Sequence, residues 1–144
     1  MKIEAVFSKI IFWLKTSEMF AQPSKQIPGR WELYEYYTEP AGELLNVKEE
    51  QLKKKGHFLQ IEFLQNGEFN YNTNIPLAFF SEKVSYNWRS SKNFITLIPD
   101  AYFGENLDFQ FAIEKQTIKL LKKDAEGRIQ LFAFLRKKDE PTKF

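Results

Sequence analysis

A chain of 144 residues with 43% hydrophobic and 17% aromatic residues, 15 Phe among them, holds enough apolar material for one packed domain. Charged residues at 28% argue against disorder, and a net charge of +2, with the Lys and Arg clusters set beside acids, argues against a nucleic-acid partner. The lack of cysteine excludes disulfides, thiol chemistry and thiolate metal sites, and no run approaches the ~20 apolar residues of a membrane-spanning helix.

Residues 1–27 stand apart and read in two ways. As a secretory signal they offer an early Lys2, the apolar block IIFWL and a cleavage point after Ala21, although that block is shorter than a working apolar region. As a helix they set Ile3, Val6, Phe7, Ile10, Ile11 and Leu14 on one face, which suits docking on a membrane, a second copy or the domain itself. The first reading implies a periplasmic or secreted protein, the second a cytoplasmic one. A polar, Pro-bearing connector follows, and the folded domain is expected over 28–138, with a tail at 139–144.

From Gly29 the chain reads mostly as strands. Residues 30–37 alternate, and residues 39–56 suit a short helix or a long polar loop. HFLQIEFLQ is a strand with Leu59, Ile61 and Phe63 on one face. Asn66-Gly67 follows as a hairpin signal, because both residues tolerate positive φ. EFNYNT returns with Phe69 and Tyr71 on one face, and NIPLAFFSE breaks the pattern. KVSYNWR, FITLI, LDFQFAI, TIKLLK and RIQLFAFLRK are the remaining strands, joined by short turns. About eight strands in consecutive hairpins, without alternating helices, predict an all-β fold. The expected form is an eight-stranded antiparallel up-and-down β-barrel, whose closure leaves no sheet edge; a two-sheet sandwich is the alternative.

Gly29-Arg30-Trp31 on the first strand, and Arg136 near the end of the last, resemble the Gly-x-Trp signature and closing basic residue of the lipocalins. In that family the Arg side chain lies across the Trp and shuts one end of the barrel. The order GRWEL, IEFLQNGEF, YNWR and a Phe-rich last strand resembles the small lipocalin-like, calycin-type domains common in Bacteroidetes. The resemblance covers about residues 28–138. It implies a structural latch of Gly29, Trp31 and Arg136, and a barrel able to hold one small ligand.

The residues themselves offer little chemistry. His57 is the only histidine, so it has no second His or Cys with which to bind a metal. No nucleophile elbow, phosphate loop or dinucleotide fingerprint occurs, and neither a cofactor nor an enzyme activity is expected. Glu35 shares a face with Trp31 and Leu33 on strict alternation; a bulge in the first strand would turn it outward. The same alternation directs Leu33, Tyr37, Ile61, Phe63, Tyr71, Tyr86, Trp88, Phe109, Phe111 and Phe132 inward, with Phe134 and Arg136 on the face of Phe132. These residues are the candidate lining of a site for an apolar or amphiphilic molecule. The other reading is an interior filled by its own side chains, in a barrel that serves structure or protein interaction.

Overall fold

The computed structural model describes residues 23–80, 84–100 and 104–138. The expected helix or signal over 1–21 and the 139–144 tail lie outside the described residues. A helical turn α1 (Pro23–Gln26) precedes β1 (Gly29–Thr38), β2 (Leu45–Val47), helix α2 (Glu49–Lys55), β3 (Leu59–Phe63) and β4 (Glu68–Thr73). The chain continues through β5 (Tyr86–Ser90), β6 (Phe94–Pro99), β7 (Leu107–Glu114), β8 (Thr117–Lys123) and β9 (Ile129–Lys138).

Every pairing is antiparallel, and β1 pairs both β3 and β9, so β1 and β3 through β9 close an eight-stranded barrel. β2 is a short ninth strand beside the far half of β1, with Tyr36 opposite Val47. The polar stretch after the first strand is therefore neither pure helix nor pure loop. It spends three residues on an edge strand before α2 begins.

The Asn66-Gly67 turn forms, by a different conformation from the one the dipeptide suggests. Only Gly67 takes positive φ, at 99°. The Asn66 side chain instead accepts the Glu68 amide at 3.0 Å, an Asx-type contact that tightens the return.

The interior is one apolar mass. Trp31, Leu33, Ile61, Phe63, Ile95, Leu97, Phe109, Ile118, Leu135 and their neighbours are buried, and no charged residue joins them among the described residues. The strands obey the period-2 rule on β3, β4 and β6, where Leu59, Ile61, Phe63, Phe69, Ile95 and Leu97 point in.

Strand β1 departs from it. Leu33 faces Leu135 and Glu35 faces Phe134, so Tyr34 is an extra residue in a bulge. One inserted residue reverses the facing of everything beyond it. Tyr36, not Tyr37, then packs against the core. Glu35 turns outward, where Asn46 Nδ2 donates to its Oε2 at 3.1 Å.

Candidate functional site

The closed end of the barrel is built around Trp31, 1% exposed, whose indole Nε1 donates to the Ile27 carbonyl at 3.0 Å. The cation that covers this ring is Lys137 and not Arg136. Lys137 Nζ sits 4.8 Å from the ring centroid and donates to the carbonyls of Pro28 at 2.9 Å and Gln26 at 3.2 Å. The pairing register explains the change. Trp31 lies opposite Lys137, whereas Arg136 lies opposite Glu32 and shares its outward face. Arg136 therefore stacks outside, 4.1 Å from the Tyr34 ring centroid, and makes two bonds to Glu49 at 3.0 and 3.1 Å. The Arg136 hydrogen bond holds the exposed Glu49 carboxyl below its ordinary range.

Gly29 belongs to the same latch. Its φ of +134° favours glycine, and the Lys137 stem passes so close that an added Cβ would meet Cε at 2.8 Å and push the end of that side chain aside. Lys137→Met should keep the stem on Trp31 and lose both bonds. The expected cost is about 1–2 kcal/mol in denaturant unfolding, as the half-buried ammonium is partly solvated. Arg136→Ala should leave the melting temperature nearly unchanged, because its ion pair is exposed. The opposite ranking of the two variants would return the latch to Arg136.

Of the ten residues expected to line a ligand site, Leu33, Ile61, Phe63, Tyr71, Tyr86, Trp88, Phe109 and Phe111 belong to the interior cluster. Tyr37 and Phe132 do not. They meet on the outer face, with ring centroids 6.0 Å apart, alongside Ala112, Leu121, Ile129, Leu44 and Phe134. Tyr37 is reversed by the bulge at Tyr34. Phe132 belongs to a strand that is apolar on both faces, so alternation carries no sign there. Leu131, Ala133 and Leu135 take the inward positions.

Among the described residues the interior is closely packed. Its void measures about 20 Å³ and is lined by Ile61, Phe63, Phe69, Phe80, Leu97 and Phe109, among others. That is room for about one water in a lining that gives it no partner. The filling comes from an element the alternation missed, the irregular stretch 74–80 between β4 and β5. Ile75 is buried, and Leu77, Phe79 and Phe80 pack onto the core. Phe80 stacks on Tyr71 at 4.3 Å, and Phe79 meets Phe109 edge-on at 5.9 Å. The signal was present in IPLAFF, an apolar run too dense for a solvated loop.

The wall opens beside this plug. β4 and β5 share only two pairs, Glu68 with Asn87 and Phe69 with Tyr86. Beyond them the strands part, leaving a groove of about 410 Å³ lined by Phe69, Asn70, Tyr71, Asn72, Thr73, Val84, Ser85 and Tyr86. Its aromatic residues are Phe69, Tyr71 and Tyr86, of which Phe69 and Tyr86 are buried. Tyr71, Tyr86 and Phe69 all contact Phe80, which also walls the inner void. Asn70, Asn72, Thr73 and Ser85 are the groove's polar residues, and its exposed lining is mainly polar. Among the described residues, no group of three or more His, Asp or Glu is placed to hold a metal ion. Comparison of the chain with protein-family models, curated proteins and solved structures finds no match to any of them.

Proposed function

We propose that this chain is a non-enzymatic, lipocalin-like binding protein for a small amphiphilic molecule, received at the gap between β4 and β5. The observation that carries the reading is the groove of about 410 Å³, which lies within the size range of small-molecule sites and brings aromatic and polar residues together. The apolar part of a ligand lies on Tyr71 and Tyr86, and its polar part meets Asn70, Asn72 or Ser85. The expected lining residues deeper in the barrel, Ile61, Phe63 and Phe109, become available only if Phe80 leaves its place above the void.

A panel of fluorescent amphiphiles tests this. Saturable micromolar binding is expected, with Tyr71→Ala weakening it about tenfold, or ~1.4 kcal/mol. Trp88, whose indole meets Phe63 at 5.2 Å inside the barrel, should respond if the ligand reaches inward. Binding indifferent to Tyr71 overturns the groove as the site.

The void of about 20 Å³ favours a second reading, in which the filled barrel is a structural or protein-interaction module. Absence of binding across the panel selects it.

A further inference from the structure

The outer face of the barrel along β1, β9, β8 and β7 has the wrong chemistry for a solvated surface. The outer face of an antiparallel sheet is ordinarily polar where it meets water. Here Ala112, Leu121, Ile129 and Phe132 form a second apolar cluster, separate from the interior, and each is 4% exposed or less. The described side chains packed around them, Tyr37, Leu44 and Phe134, are apolar too.

The neighbouring cation is dehydrated as well. Lys119, with its ammonium 5.4 Å from the Phe134 centroid, has a side chain only 17% exposed, and burial pushes its pKa below the ordinary lysine value. Its ion partner Glu114 is 3.9 Å away and acts in the opposite direction, so desolvation is the larger effect.

We propose that this face is the docking site of the chain's own N-terminal segment, with residues 3–14 lying across it as an amphipathic helix. The sequence places Ile3, Val6, Phe7, Ile10, Ile11 and Leu14 on one helical stripe. Twelve helical residues span ~18 Å, and four neighbouring strands measure ~15 Å across, so stripe and cluster match in size. The chain that leads to this segment starts nearby: the backbone of the turn Pro23–Gln26 lies beside β7, one of the four strands of this face. The eight residues 15–22 reach up to ~26 Å when extended, enough to set the stripe anywhere on the face. Such a helix is marginal alone in water and needs an apolar surface. This inference is independent of the ligand groove, which opens between β4 and β5.

A photo-crosslinking p-benzoylphenylalanine in place of Phe7, in the full chain, tests it. The expected result is an intramolecular crosslink, carried by the monomer, to peptides within 112–134. A double change Phe7→Glu and Ile11→Glu should then raise the fluorescence of a surface-hydrophobicity dye several-fold and speed amide exchange at Leu121 and Phe132. Crosslinks only between copies would assign the face to a dimer and overturn the proposal. Crosslinks elsewhere on the barrel, no crosslink, or an unchanged dye signal in the double variant overturn it equally. So does mass spectrometry showing that the native host removes residues 1–21.

Discussion

Replacing Trp31 with alanine should lower the unfolding free energy by about 3–5 kcal/mol, the cost of a large-to-small change at a fully buried aromatic. The corresponding fall in melting temperature is on the order of 10–20 °C. Three losses combine at this site. The ring leaves a cavity at the closed end of the barrel. The Ile27 carbonyl loses its indole donor, and the Lys137 ammonium loses the aromatic face beneath it. Ile27, fully buried beside the ring, should be the first core residue to gain solvent. Trp31→Phe separates the terms, because it keeps most of the volume and drops the hydrogen bond; it should fall between the wild type and the alanine variant. An alanine variant that melts with the wild type would mean that this end of the barrel is closed without Trp31.

Phe80→Ala should have the second-largest effect, and on two observables at once. Phe80 stacks on Tyr71, contacts Phe69 and Tyr86, and lines the inner void. Truncation should enlarge that void toward Tyr71 and Tyr86, which line the groove. The stability loss should sit near or below the lower end of the ~3–5 kcal/mol range for buried Phe→Ala changes, because the ring is only partly buried. Apolar dyes too large for the void of about 20 Å³ should bind the variant inside the barrel and change Trp88 emission. Phe79→Ala makes the comparison: it removes an edge-on contact with Phe109 but leaves the Phe80 ring on Tyr71 in place. Equal dye binding by the wild type and Phe80→Ala would show that Phe80 is no barrier. A stability loss with no dye uptake would show that the barrel collapses to fill the space.

The two ends of the barrel are closed in different ways. The Trp31 end is held by directed bonds from Lys137 and Trp31 to backbone carbonyls. The Phe80 end is closed by rings packed on rings, from an irregular segment in which Phe80 donates its amide to the nearby Leu77 carbonyl at 3.1 Å. Local opening draws on such irregular segments, so the plug is the end at which access to the interior can change.

The sequence by itself determined the eight main strands and their antiparallel order. Alternation on β3, β4 and β6, and the turn at Asn66-Gly67, are local properties, and local physics is enough to read them. Closure of the last strand on the first was the expected way to leave no sheet edge, and the β1–β9 pairing decides it against a two-sheet sandwich. Gly29 and Trp31 were singled out by the resemblance of Gly29-Arg30-Trp31 to the lipocalin Gly-x-Trp signature, and not by periodicity.

Only the tertiary structure decided which side of the wall several residues occupy. The bulge at Tyr34 turned Tyr37 and Glu35 outward, and a bulge is set by how β1 meets β9, not by the residues of β1 alone. The β1–β9 register put Lys137 rather than Arg136 on Trp31, a shift of one residue that composition cannot detect because both are cations on the same strand. β9 is apolar on both faces, so Phe132 carried no local sign of its direction. The filling of the interior by Phe79 and Phe80 depended on where an irregular segment folds back. Periodicity reports the facing of a side chain only within a regular element; where a strand slips by one residue, or a loop returns to the core, the facing is fixed by partners distant in sequence.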